Sequence, residues 1–143
     1  MPIRKELKGF YPIDWRELSR VIRFERAEGK CERCGRPHGR VISHLGDGRW
    51  FDPDTECWRD GQGRAVDWIG FADDGGQLRR TRVVLATAHL DHNPSNNRAK
   101  NLRALCQRCH LLHDRPEHRR RIRIALRRRR ALGDLFDGPY WLS

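Results

Sequence analysis

The chain has no long apolar run. None of its stretches approaches the roughly 20 apolar residues that a membrane span needs, and hydrophobic residues make up only 37% of its 143 positions. The opening MPIRKELKGFYPIDW has no apolar core segment, so a secretory signal peptide is not expected either. These absences make a soluble, cytoplasmic protein the expectation. Lysine is scarce as well: only Lys5, Lys8, Lys30 and Lys100 contribute to the 30 Lys plus Arg, so arginine carries most of the cationic charge behind the net +11. Guanidinium grips phosphate in a planar fork, and a polyanion, nucleic acid first, is the partner class that such a balance favours. The length suits about one domain. With so little apolar material its core must be small and helped by something else.

Cysteine is the candidate for that help. Four of the five cysteines form two Cys-x-x-Cys pairs, Cys31 with Cys34 in CERC and Cys106 with Cys109 in CQRC. In a reducing compartment two such pairs supply the four soft thiolates of a tetrahedral zinc site. A closed shell of four thiolates leaves no position for water or phosphate, so this zinc is expected to be structural. Cys57 is left over and reads as an ordinary free cysteine.

The pairs can be placed on elements. DWRELSRVIRFERAEGK, with Asp14 as cap and Gly29 as stop, predicts a helix. CERCGRPHG turns tightly, as a zinc knuckle does. From Val41 to Gln77 short apolar or aromatic runs (VISHL, RWFD, ECWRD, AVDWIGF) alternate with GDG, DPD, DGQG and DDGG, the pattern of antiparallel hairpins, with Trp50, Trp58 and Trp68 as core candidates. TRVVLAT is the best single strand and leads into AHLDHNPSNN. Leu102, Leu105, Cys106, Cys109, His110 and His113 in NLRALCQRCHLLHD are spaced as one face of a helix. A second helix is expected to start near Pro116 and to carry eight arginines between Arg119 and Arg130. So dense a charge calls for an anion, and Arg119, Arg120, Arg123, Arg127, Arg128 and Arg130 are expected to contact phosphates without reading sequence.

The two cysteine pairs, AHLDHNPSNN at the end of a strand and the following NLRALCQRCH together resemble the HNH endonuclease family, whose ββα-metal core is also called the His-Me finger. The likeness covers residues 31–34 and 83–114. It implies a metal-dependent nuclease acting on DNA, most naturally double-stranded, and leaving 5′-phosphate and 3′-hydroxyl ends. Aligned with the family's HHIDGNPSNN form, His89 is the general base, Asn101 tethers the loop and helps orient the base, and His110 binds one catalytic divalent cation such as Mg²⁺, Mn²⁺ or Ni²⁺. A second alignment makes Asp91 the metal ligand and His92 the base; the spacing to Asn101–Leu102 favours His89. The chain departs from the family at Ala88, where Asp or His usually binds the metal. Asp91, His92 and His113 are candidates to replace it.

The fold so expected is α+β: a small zinc-stapled ββα-metal core (31–40 and 81–114) with an N-terminal helix, an antiparallel β insertion (41–80) and a basic C-terminal helix (115–133), all one nuclease domain over 1–143. The other reading is a zinc-stapled, arginine-rich nucleic-acid-binding module with a vestigial nuclease site. Target and oligomeric state are not written in the sequence.

Overall fold

Near the N-terminus, a short 3₁₀ turn (Lys5–Phe10) precedes helix α1 (Trp15–Arg20), which runs on into a π-helical stretch, Val21–Arg26. The wider winding ends with Ala27 donating its N–H to the Ile22 carbonyl at 3.1 Å. Gly29, at φ 71°, bonds back to the Arg23 carbonyl and stops the helix as expected. Asp14 occupies the cap position, but its carboxylate makes no capping bond. The start is set by backbone instead: Trp15 N–H donates to the Pro12 carbonyl and Leu18 N–H to the Asp14 carbonyl, each at 3.0 Å. This computed structural model describes residues 3–67 and 78–137. The chain divides into two compact units, Met1–Leu111 and Leu112–Ser143.

Most of the central hairpin segment forms as its turns predict. Strands β1 (Val41–His44), β2 (Trp50–Asp52), β3 (Cys57–Arg59), β4 (Ala65–Val66) and β5 (Arg79–Arg82) make an antiparallel sheet in the order β4-β3-β2-β1-β5. Trp50 is buried as expected, whereas Trp58 is half-buried on the other face; Trp68 lies outside the described residues. Two glycines seat this sheet on its surroundings. A Cβ at Gly63 (φ 83°) would come within 2.9 Å of the Cys34 carbonyl oxygen, and one at Gly48 within 2.6 Å of the Arg108 guanidinium. The β3–β4 turn thus presses on the cysteine knuckle, and the β1–β2 turn on Arg108.

TRVVLAT is not one strand. Arg79–Arg82 pairs with β1, whereas Leu85–His89 is β6 of a separate two-stranded sheet with β7 (Leu102–Cys106), in register from Leu85↔Cys106 to His89↔Leu102. Between them, Val83 exchanges bonds with Arg40 (2.9 Å) and Gly39 (2.7 Å). Residues 102–106 are therefore a strand and not the helix face that their spacing predicts. A short apolar run fits either period, and pairing with β6 decides it. Beyond that pairing, the side chain of Gln107 accepts from Val84 N–H and donates to the Arg82 carbonyl, standing in for further ladder bonds. The helix α2 begins there and spans Gln107–Asp137, with Pro116 inside it. The basic helix expected to start near Pro116 is the continuation of this one; proline removes one intrahelical bond, to Leu112, and the helix persists.

The core is small. Among the described residues its thirteen buried apolar members include four cysteines, with Ile22, Ile42, Trp50, Val83, Leu85, Ala88, Leu102, Ala104 and Leu105. His38 closes one side: its Nδ1 accepts the Leu85 N–H at 3.0 Å, and Phe24 meets its ring edge-on. Burial, then the charges of Arg23 and Arg82, push its imidazole below the ordinary value. The unfolded chain therefore binds this proton more readily than the folded one. The contribution is fully present above the ordinary imidazole value of roughly 6.5 and is lost as the pH falls below it. We expect the urea midpoint of the wild type to fall between about pH 7 and pH 5. In His38→Asn, whose amide oxygen can accept the same N–H without titrating, the fall should be shallower; parallel curves would remove His38 as a cause.

Candidate functional site

The first site is the cysteine cluster. The knuckle is shaped by backbone: Gly35 N–H donates to the Cys31 carbonyl (2.8 Å) and Cys31 N–H to the Arg36 carbonyl (3.0 Å), with Gly35 at φ 78°. Glu32 docks it on β7, its N–H donating to the Ala104 carbonyl at 2.9 Å while its carboxylate accepts the Ala104 N–H at 2.6 Å. Arg26 in turn pairs with that carboxylate at 2.7 Å. These bonds bring Cys31 and Cys34 against Cys106, at the end of β7, and Cys109, in the first turn of α2. All four are buried, and their sulfurs lie within 4.8 Å of one another, Cys34 Sγ and Cys106 Sγ at 3.6 Å. A tetrahedron with zinc–sulfur bonds of roughly 2.3 Å has an edge of about 3.8 Å. The cluster can therefore hold a metal ion such as zinc. Cys57, on β3, stands outside it beside Thr55. The Cys31 thiol is pushed down, first by a hydrogen bond to Cys106 and then by those to Cys109 and Cys34, whereas Cys34 is pushed up by the same close company. Thiolate and thiol crowded into a dry site is the electrostatic situation that a bound cation relieves.

The second site is the loop between β6 and β7. His89 ends β6, and its side chain shares a face with Leu85 and Thr87. That face meets α1: Ser19 and Thr87 hydroxyls lie 2.8 Å apart, and Trp15 stacks on the His89 ring with centroids 5.0 Å apart and planes 18° apart. Tyr11 meets the same ring edge-on at 5.6 Å. His89 Nε2 lies 2.9 Å from Asn97 Oδ1, and the residue is buried. Trp15 and Asn97 were not foreseen. Trp15 is distant in the chain and reads locally as helix core; Asn97 is one of several asparagines in a polar turn.

Asn101, in a 3₁₀ turn (Ala99–Asn101) before β7, is buried and ties the loop together. Its amide donates to Asp91 Oδ1 (2.9 Å) and to the Asn96 carbonyl (2.8 Å), and its Oδ1 accepts the Asp91 N–H (3.1 Å). Asp91 also accepts from Asn93 N–H (2.9 Å) and from the Asn96 amide on Oδ2 (2.7 Å). These donors, Asn96 foremost, then Asn93 and Asn101, hold its carboxyl down at about 2. With three bonds made, Asp91 keeps about one of the roughly four acceptor positions of a carboxylate. His92 stands at φ 59°, a conformation that glycine adopts freely and other residues rarely. Ala88 is buried on the face of β6 opposite His89 and offers no metal ligand.

His110 is on the first turn of α2, beside Cys109; His113 lies further along, in the second unit. The described residues of that unit, as far as Asp137, are helix. From His118 to Ala131 every side chain on it is exposed, including Arg119, Arg120, Arg123, Arg127, Arg128 and Arg130. Glu117 pairs with Arg120 and Arg121. The structure thus gathers His89, Asp91, His92 and Asn101 on one loop and the four cysteines in one cluster. No helix among the described residues is long and apolar enough to cross a membrane. No family model matches the chain, and neither a curated protein nor a solved structure matches it.

The cluster yields a test. Structural zinc contributes roughly 10–16 kcal/mol in small domains, as much as the whole stability of a typical one, about 5–15 kcal/mol. Cys106→Ser is expected to abolish both zinc retention and the cooperative unfolding transition. A zinc-free variant that still unfolds cooperatively at the wild-type midpoint would show that the core stands without metal.

Proposed function

We propose that the protein is a metal-dependent endonuclease of the HNH type, hydrolysing DNA phosphodiester bonds with His89 as general base and one divalent cation. The observation that carries this reading is the immobilised imidazole of His89 at the end of β6, held by Trp15 and Asn97 on a loop that Asn101 closes. Its setting, a hairpin followed by a helix and stapled by four cysteines, agrees with the resemblance seen in the sequence. So does the left-handed backbone at His92, the position of glycine in the family's HHIDGNPSNN form.

Attack on a phosphodiester needs a water deprotonated near neutral pH, which is work for an imidazole. His89 takes that proton. Negative charge then grows on the phosphoryl oxygens and on the departing sugar oxygen, where a cation is most stabilising. His110 and the remaining acceptor position of Asp91 are the donors that would hold it. The zinc of the four cysteines takes no part, being closed to substrate.

Affinity for the duplex has two sources. One is the exposed arginine helix. The other, which sequence reading missed, is β5: Arg79, Arg80 and Arg82 are exposed on the sheet's edge strand, and no carboxylate among the described residues pairs with them. By register Arg80 and Arg82 share a face with Ser43 and Val41. Charge on an edge strand also blocks edge-to-edge aggregation, but one cation suffices for that. The second reading, a binding module with a vestigial site, is favoured by a single observation, the donorless Ala88.

A plasmid assay separates the readings. Wild type with Mg²⁺, Mn²⁺ or Ni²⁺ should nick, and His89→Ala should lose about 10²-fold or more while still shifting DNA on a gel. Nicking that survives in His89→Ala but vanishes in His92→Ala would move the base; binding without cleavage under every metal would establish the binding module. For β5, replacing Arg80 and Arg82 by Gln should lower the slope of log K against log salt by about 0.9 for each phosphate that is no longer neutralised. An unchanged slope would remove this strand from the interface.

A further inference from the structure

The geometry points to Asn97 and Trp15 as positioning residues of His89: Asn97 fixes which ring nitrogen carries the proton, and Trp15 fixes the plane of the ring. Asn97 Nδ2 donates to the Pro94 carbonyl at 3.1 Å. A carbonyl only accepts, so the Asn97 amide is oriented with its NH₂ toward Pro94 and its oxygen toward His89. The group facing that oxygen at 2.9 Å, His89 Nε2, must then be the donor. In a neutral imidazole one nitrogen carries the proton and the other the lone pair. His89 is thereby held as the Nε2–H tautomer, with Nδ1 as its basic nitrogen.

The Nε2–Oδ1 bond does not by itself remove the freedom of the ring to rock about the line it defines. Trp15 removes that freedom, since an indole stacked at 18° defines the plane that the bond leaves open, and Tyr11 bounds the ring edge-on. The support behind these contacts is firm. Trp15 is fixed on α1, which Ser19 ties to Thr87 two residues before His89, and Asn97 belongs to the loop that Asn101 closes. Asn101 thus sets the loop, as the resemblance implies, and the orientation of the base passes to Asn97.

The consequence for catalysis rests on the nuclease reading; the tautomer does not. Long-range ¹H–¹⁵N correlation of the histidine rings, recorded at about pH 8, reads the tautomer without any activity. Wild type is expected to show the proton of His89 on Nε2. Asn97→Leu, with zinc content and thermal midpoint confirming its fold, should give a mixture of tautomers. Asn97→Asp, which keeps an acceptor at the same place, should restore the wild-type pattern. In the nicking assay Asn97→Leu should lower kcat by about 10-fold or more, with KM little changed. A wild-type ring protonated on Nδ1, or an Asn97→Leu ring with an unaltered tautomer population, overturns the inference. If the wild type shows Nε2–H and nicks nothing, the nuclease reading falls and the assignment of Asn97 stands. Should Asn97→Leu fail to fold, the wild-type and Asn97→Asp spectra still decide.

Discussion

Everything in the first unit depends on holding four cysteines together. Cys31 and Cys34 come from a knuckle, Cys106 from the end of a strand and Cys109 from the start of a helix, and the stretch between the two pairs contains the entire five-stranded sheet and β6. Closing so long a loop costs chain entropy that grows only slowly with its length, so one strong cross-link makes a long insertion tolerable. The apolar core of the described residues, four of whose thirteen members are the cysteines themselves, is small for this task by burial alone. The place where a metal ion can be held and the centre of hydrophobic burial therefore coincide. Without a cation, four crowded thiols would stand in a dry site, which is worse than an ordinary loss of packing.

The staple also explains why a polar loop can be held so firmly. β7 is anchored by Cys106 at one end and by Asn101, just before it, at the other, and the Glu32 carboxylate grips its middle through Ala104. β6 is in register with β7 along its whole length, so His89 inherits that rigidity through five cross-strand pairs. The residues between the strands then satisfy one another. Asp91, Asn93, Asn96, Asn97 and Asn101 each accept or donate inside the loop, and a fully connected polar network of this kind fixes one conformation. A side chain placed on rigid, cross-linked strands is held more precisely than one on an unsupported loop.

Those parts of the chain with a local signature were legible in the sequence. The paired cysteines have ligand spacing, the hairpins β1 to β4 are marked by their turns, and AHLDH follows an apolar run that must end in a turn. What was not legible was decided by distant partners. Whether LRALC is strand or helix depends on β6, and the divide within TRVVLAT depends on Gly39 and Arg40, which take Val83 out of the edge strand. Asp14 looks like a cap, yet backbone bonds from Trp15 and Leu18 complete that turn without its side chain. The stacking of Trp15 on His89 joins residues far apart in the chain, and no periodicity announces it. Asn97 differs from its neighbours Asn93 and Asn96 only in what the fold brings to it.

Ala88 separates the architecture from the chemistry. A nucleic-acid-binding module needs cations, which β5 and the arginine helix supply, and it needs a stable fold, which the cysteines supply. Neither demand calls for His89. Burying a polar ring and restricting its rotation both cost free energy, and His89 is nonetheless enclosed by Trp15, Tyr11 and Asn97. Such restraint serves a proton acceptor, whose lone pair must point in one direction at the moment of attack. A loop that only had to be stable could place an apolar residue beneath Trp15 and retain the Asp91–Asn101 tether unchanged. On the nuclease reading, Ala88 bears on how a cation would be held, whereas the fixed imidazole bears on whether there is a base, and it is the more demanding feature to maintain without a use.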